Sequence, residues 1–235
     1  MIRTASQLSA NLPANLSASS LPRVLLTGFD AFGGASINPS WLAVKALDGE
    51  ILGGHQLVAA LLPTQFDASL KQLVRLLIQD RPRLVLCVGQ AGGRSVLSIE
   101  RIAINIRDAS IADNAGHQPV DVPVVASGPA AYFSTLPVKA MLQALQRSGI
   151  SAELSQTAGT FVCNHVFYAL MHALATRRGF KRARGGFIHV PYLAEQGTPS
   201  MPLADMVRGL RVAIESALTA RDVLALMPVN AGKIS

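Results

Sequence analysis

The run Leu84-Val85-Leu86-Cys87-Val88-Gly89 constrains this chain more than any other stretch. A strand built from it has no face to give to water, so it must lie inside a sheet that is covered on both sides. Around it, other β-rich runs alternate with segments of helical period. Arg23 to Gly28 and Gln56 to Leu62 read as strands, while Leu70, Leu73, Val74, Leu77 and Ile78 recur at helical spacing and predict an amphipathic helix over 67–80. Such alternation predicts an α/β fold with helices on both faces of the sheet. Half of the 235 residues are hydrophobic, enough for one large core, and no break in composition divides the chain. The expected organisation is a flexible N-terminal extension over 1–21 followed by one domain over 22–235.

Boundary residues refine this reading. Asn38-Pro39-Ser40-Trp41 supplies an N-cap and a proline at the first helical position, opening a short helix to about Leu47. After a glycine-rich loop from Gln90 to Arg94, Ile102, Ile104 and Ile106 alternate with Arg101, Ala103, Asn105 and Arg107, as in a regular half-buried strand. Residues 108–128 form a polar loop too long for a simple connection, and therefore a candidate lid or assembly segment. Helices over 136–148, 163–177 and 202–219 and strands over 152–157 and 185–190 complete the pattern.

Charge and cysteine content narrow the function classes. The formal charge is +7, and the densest basic cluster is Arg177, Arg178, Lys181, Arg182 and Arg184. With aromatic residues only 5% of the chain, base stacking has little to build on, so a solvated helix end is preferred over nucleic-acid binding. No apolar run reaches the roughly 18–20 residues of a membrane span. Two cysteines and no secretory apolar segment point to a reducing cytoplasm. No Cys, His, Asp or Glu cluster has metal-ligand spacing, and neither glycine-rich loop matches a nucleotide-binding fingerprint. No metal and no cofactor are expected.

The second cysteine is the residue with chemical promise. In Thr157-Ala158-Gly159-Thr160-Phe161-Val162-Cys163-Asn164-His165, a strand turns into a helix whose apolar face is Phe167, Leu170, Met171 and Leu174. A thiol there meets unpaired N–H groups and the positive end of the helix dipole, which favour thiolate. Small residues in the turn leave room for a substrate and N–H donors for an oxyanion. A buried structural cysteine, the reading given to Cys87, is the alternative. His165 is about 200° round the helix from Cys163 and faces away. His189 lies inside the apolar strand Gly186-Phe187-Ile188-His189-Val190, near the end where ligands of open α/β sheets bind. It is either a base or a satisfied core histidine. Glu100 shares parity with the three isoleucines, so a regular strand turns it inward, where an imidazolium is a fitting partner. A frayed, solvated strand start is its alternative. Phe29 and Phe32, in a polar loop, suit the walls of a pocket.

These blocks resemble pyroglutamyl peptidase I, a family of cysteine peptidases. The resemblance rests on Leu25 to Gly34, Asn38 to Trp41, Gly89 to Arg94, Glu100 to Asn105, Thr157 to His165 and Gly186 to Tyr192, in order and spacing. It implies a three-layer α/β/α sandwich of the phosphorylase/hydrolase-like type with a mixed, mostly parallel sheet. It also implies a catalytic Cys163, His189 and Glu100, with a lactam pocket made by Phe29, Phe32, Phe161 and the backbone of Gln90. The implied substrate is a peptide with an N-terminal pyroglutamate, and the implied assembly is a homotetramer. Departures from the family pattern are Ser110 in place of arginine, Ala112 in place of proline, Leu42 in place of glutamate and Ala31 in place of proline. Arg107 is the neighbouring arginine that could replace the missing one. Two alternatives follow: a catalytically weakened member that binds pyroglutamyl-like ligands, or a phosphorylase-like nucleoside enzyme.

Overall fold

The computed structural model describes residues 21–220. The expected extension therefore lies outside the described residues except for Leu21. In chain order the elements are β1 (Arg23–Phe29), α1 (Pro39–Lys45), β2 (Ile51–Leu52), β3 (His55–Leu62), α2 (Phe66–Asp80), β4 (Leu84–Gln90), β5 (Leu97–Glu100), β6 (Ile102–Ile104), β7 (Ala131–Phe133), α3 (Val138–Arg147), β8 (Ala152–Ser155), α4 (Val162–Thr176), β9 (Arg184–Val190) and α5 (Leu203–Thr219). A 3-10 turn at Arg178–Phe180 links α4 to β9.

Seven strands form one sheet in the order β2-β3-β1-β4-β9-β5-β8. Pairing is parallel except for β2 against β3 and β5 against β9. The apolar run over 84–89 becomes β4, central in the sheet and buried along all but its last residue. Successive side chains of β4 go to opposite layers. Leu84, Leu86 and Val88 join the core under α1, α3 and α5, and Val85 and Cys87 the core under α2 and α4. The three-layer α/β/α architecture is thus the expected one.

Local chemistry explains the element ends. The Asn38 side chain accepts from the Ser40 N–H at 3.1 Å, with Pro39 at the first helical position. The Ser40 hydroxyl in turn receives the Phe29 N–H at 3.0 Å, pinning the end of β1 to the start of α1. This approach is so close that a Cβ on Gly28 would lie 2.6 Å from the Trp41 Cα. On α2, Leu73 and Leu77 are fully buried with Phe66 and Ser69, whereas Ile78 is exposed. Each buried leucine contributes about 1.5–3 kcal/mol relative to exposure. Helix α4 buries eleven of its residues. It is enclosed by the sheet on one side and by the ribbon of β6 and β7 on the other, where the Asn164 carboxamide binds Ile104 N, Ile104 O and Ile106 O at 2.9–3.0 Å.

One expectation about this region is corrected. The alternation from Glu100 to Arg107 is not one strand: the chain breaks at Arg101, leaving β5 in the main sheet and β6 in a separate two-stranded ribbon. Ile102 and Ile104 are only partly buried while Ala103 is completely so. The ribbon lies against α4, and Ala103 is the residue it buries there. Glu100 does point inward, as a member of β5.

Candidate functional site

The chain leaves β1 toward β3 on one side and then crosses to β4 on the other, so β1 and β4 flank the switch point of the sheet. Ligands of open α/β sheets bind in the crevice outside the strand ends at such a point. The β1–β4 ladder stops at Thr27 and Cys87, and beyond it the ends of the two strands part. The residues named from sequence gather at this crevice.

Strand register places His189 directly beside Gly89 on β4 and beside Ser98 on β5, with Glu100 opposite Phe187. Glu100 and His189 are therefore diagonal neighbours on adjacent antiparallel strands, on the face covered by α4. Their side chains meet: His189 Nδ1 lies 2.7 Å from Glu100 Oε1. Gly89 has no side chain, and a Cβ built there would sit 2.8 Å from Cys163 Sγ. The sulfur thus rests on β4, the strand paired with β9, which carries His189. Phe187 packs beneath both, its ring 4.8 Å from that of His189. Glycine at position 89 is what allows helix α4 to lower its thiol onto the sheet.

Cys163 is the second residue of α4, which begins without a side-chain cap. The N–H groups of Val162, Cys163 and Asn164 precede the first helical bond, which runs from His165 N to Phe161 O at 3.1 Å. They are donors without an intrahelical acceptor. Gly159 sits at φ 76 and gives its own N–H to the Thr157 hydroxyl at 3.0 Å. The oxyanion-type donors are therefore those of the first turn of α4, rather than the Gly159 N–H in the turn before it.

The electrostatics differ from the sequence expectation of a thiolate. Burial first, and then the neighbouring Glu100 charge, push the Cys163 thiol up to about 12 against the opposing charge of Arg94. A helix N-terminus contributes about 0.3–1 kcal/mol, less than one pH unit, so burial dominates. Burial also lowers His189 below its usual range, against the stabilising pull of Glu100. Both shifts favour a neutral thiol and a neutral imidazole in the resting pair. Cys87, fully buried and likewise at about 12, is the inert thiol expected of it.

An aromatic wall flanks the sulfur. Phe32 and Phe161 lie 6.0 Å apart, and Phe66 meets Phe161 edge-on at 5.5 Å. Phe29 is almost completely buried and packs on Phe187, making it a floor of the site more than an open wall. Next to them opens a cavity of about 460 Å³ bordered by Phe32, Gln90, Ile111, Tyr192, Glu195 and Gln196. The Gln90 side chain is held by Gln196 at 3.0 Å. The loop over 108–118 covers this end of the sheet in a fixed position. The Asp113 carboxylate accepts from Phe66 N, Ala115 N and His117 N at 2.8–2.9 Å, and Asn114 binds Ala31 O at 2.8 Å. Burial alone would raise the Asp113 carboxyl, but these donors hold it below the usual carboxylate range.

Other candidates lie elsewhere. His165 is buried edge-on to Phe66, on the far side of α4 from the sulfur. His172 meets the Tyr132 hydroxyl at 2.9 Å. Arg107 binds Pro123 O and faces Asp67, so it does not take the place of the arginine replaced by Ser110, which is itself exposed. The basic cluster borders a cavity with Arg81 and Arg83 at the opposite end of β4. Sequence reasoning assigned no role to Phe66, Arg94 or Ile111. Arg94 was visible as a lone cation ending a glycine-rich loop six residues before a buried glutamate.

Among the described residues no group of His, Cys, Asp and Glu is arranged to hold a metal, and no helix is long and apolar enough to cross a membrane. Comparison with known proteins places the chain in a family. The family model described as pyroglutamyl peptidase matches residues 22–220. A pyrrolidone-carboxylate peptidase of Cupriavidus taiwanensis is 56% identical over 206 residues, 86% of this chain and 95% of the relative. One from Bacillus cereus is 52% identical over 83% of this chain and 93% of the relative. The crystal structure of pyroglutamyl peptidase I from Bacillus amyloliquefaciens superposes with a TM-score of 0.83 at 44% identity, covering 86% of this chain and 98% of that one. With its thiol, imidazole and carboxylate gathered on one sheet face and its length matched almost throughout, the chain belongs to the pyroglutamyl peptidase family.

Proposed function

We propose that this protein is a cysteine peptidase that removes an N-terminal pyroglutamyl residue from peptides, with Cys163 as nucleophile, His189 as acid and base, and Glu100 as the group that orients the imidazole. The observation that carries this reading is the 2.7 Å contact of His189 Nδ1 with Glu100 Oε1, beside a thiol seated over Gly89. Glu100 accepts a hydrogen bond from Nδ1–H, which leaves the Nε2 lone pair for the thiol. Because the resting pair is neutral, proton transfer from sulfur to imidazole accompanies attack on the carbonyl that joins pyroglutamate to the next residue. Charge that develops on the carbonyl oxygen meets the free N–H groups of the first turn of α4. The imidazolium then protonates the leaving amine as the C–N bond breaks. Water, deprotonated by the same imidazole, releases pyroglutamate from the thioester and returns the proton to sulfur.

Phe29, Phe32 and Phe161 enclose the lactam, and the backbone of Gln90 pairs with its amide. A lactam carries no charged amine, so this apolar enclosure costs it little desolvation, whereas an ordinary charged N-terminus would lose much of its hydration there. The adjoining cavity leads away from Phe32 and Gln90 toward Glu195 and gives the remainder of the peptide a path. No cofactor takes part. We also place the protein in the cytoplasm, as one catalytic domain over 22–235 that assembles as a homotetramer. Apolar surface for assembly is available at Val120 and Phe133, 68% and 69% exposed.

The test is release of a fluorophore from a pyroglutamyl amide by the parent, Cys163→Ala and Glu100→Gln proteins. The expected result is turnover by the parent, none by Cys163→Ala and a loss of about 10²-fold or more in Glu100→Gln. Turnover that survives Cys163→Ala overturns the thiol mechanism. Exposed Ser110, with Arg107 engaged elsewhere, favours one second reading, a weakened member that binds pyroglutamyl ligands. Binding without turnover in the parent would select it.

A further inference from the structure

Glu100 is completely buried, and its Oε1 receives two partners: His189 Nδ1 and Arg94 Nη1, each at 2.7 Å. Its Oε2 has none. The other arm of the guanidinium, Nη2, donates to Thr157 O at 3.1 Å. Thr157 lies in the turn that leads from β8 into α4, two residues past the end of the strand and six before Cys163. One planar fork thus joins the glycine-rich loop after β4, the carboxylate on β5 and the turn that delivers the thiol.

The charges around Glu100 make this contact decisive. Facing it are His189 from β9 and Cys163 from α4 with Cys87 behind it on β4, while Glu153 of β8, beside Ser98, receives the Ser98 hydroxyl at 3.1 Å. Among the described residues Arg94 is the cation that acts on both Cys163 and His189. Since the imidazole rests neutral, it does not supply the counter-charge that a buried carboxylate needs. Without the guanidinium, the carboxyl would take up a proton from solvent. It would then donate to Nδ1 and drive the imidazole proton onto Nε2. That tautomer has no lone pair for the thiol proton.

We propose that Arg94 is a positioning residue for the reaction: it holds Glu100 as a carboxylate, thereby sets the tautomer of His189 that can accept from Cys163, and ties down the turn that carries the thiol. This rests on the cysteine–histidine reading above. Lysine is no substitute, because a single ammonium cannot serve the carboxylate and the Thr157 carbonyl with the same fixed fork.

The experiment measures kcat and KM of the parent, Arg94→Met, Arg94→Lys and Glu100→Gln proteins and the Arg94→Met/Glu100→Gln double variant, between pH 5 and 10, with thermal unfolding of each. For Arg94→Met the expected loss at pH 7 is about 10²-fold, carried by kcat with KM nearly unchanged. Its acid limb moves upward by at least about one pH unit, because carboxyl protonation now silences the imidazole. Arg94→Lys keeps the acid limb near that of the parent and loses roughly fivefold to tenfold in kcat, the share carried by the Thr157 arm. In the Glu100→Gln background, where no charge needs a partner, Arg94→Met loses only the roughly fivefold to tenfold share of the Thr157 arm. An Arg94→Met protein within threefold of the parent at every pH overturns the proposal. So does a uniform loss with the acid limb unmoved, which is the signature of a structural role alone. Should Arg94→Met fail to fold, the Arg94→Lys profile decides: a kcat equal to that of the parent, or an acid limb that moves upward, overturns the proposal. A parent activity that is insensitive to Cys163→Ala would instead sink the underlying reading, so the two failures are distinguishable.

Discussion

Gly89→Ala adds one methyl group at the point where the sheet and α4 touch. The new Cβ would lie 2.8 Å from Cys163 Sγ, 2.8 Å from Phe187 Cζ and 3.0 Å from Phe187 Cε1. Carbon atoms pack at about 3.5–4.0 Å and sulfur is larger, so relief requires a shift of about 1 Å. Phe187 is buried and stacked between Phe29 and Phe167, leaving the sulfur as the atom that moves. Overpacking of this kind costs about 1–3 kcal/mol of stability. A reacting group misplaced by about 1 Å costs about 10²-fold in rate. The assay pairs urea unfolding with kcat/KM on a pyroglutamyl fluorogenic amide. Gly186→Ala is the control: its Cβ would meet Ser134 Oγ at 2.5 Å and Leu136 Cδ1 at 2.6 Å, on the layer away from the thiol. It should lose stability while its folded fraction keeps kcat within about threefold of the parent. Gly89→Ala retaining parental kcat, or Gly186→Ala losing as much, would refute the claim that Gly89 exists to seat the sulfur.

Other outcomes follow from particular contacts. With the thiol raised to about 12 and the imidazole below its usual range, the free protein should show no thiolate absorbance at pH 7, and kcat/KM should hold a plateau whose acid limb lies below pH 6.5; a strong thiolate band at neutral pH would contradict the neutral pair. His165, buried with both ring nitrogens unpartnered, is held down to about 4 by burial and then by the Arg107 charge. Between pH 6.5 and about 4 the unfolded chain binds a proton that the folded protein does not, so stability falls on acidification by up to about 3 kcal/mol. His165→Leu should flatten that slope in urea titrations at several pH values. Asn164→Ala removes the side-chain partner of Ile104 N and Ile106 O and one of the two donors to Ile104 O, and should cost about 2 kcal/mol or more in chemical denaturation. A chelator should leave turnover unchanged within error, and loss of activity on metal removal would contradict the thiol mechanism proposed here.

Much of this molecule is legible along the chain because the relevant physics is local. An uninterrupted apolar run such as 84–89 can only be an interior strand, and Asn38-Pro39 can only start a helix efficiently. Cys163 and His189 were nameable because each sits at an element end in otherwise apolar sequence. Glu100 was found with a faulty premise. Its inward parity was inferred from a strand that continues through Ile106, yet β5 stops at Glu100 and Ile102 and Ile104 belong to a ribbon over α4. Periodicity reports which residues share a face but not which sheet they join. The thiolate expectation rests on a helix terminus that is visible in sequence, whereas the burial that works against it is visible only in the structure.

The sequence by itself determined the layer architecture and the identities of the three candidate reacting groups, because hydrophobic period and capping chemistry act over a few residues. Only the tertiary structure decided how those groups meet. It set the strand order that puts β9 between β4 and β5, the missing side chain at Gly89 that admits the sulfur, and the reach of Arg94 to Glu100 and Thr157. These depend on register between strands up to about a hundred residues apart in the chain, and register is selected by the packing of the whole core at once.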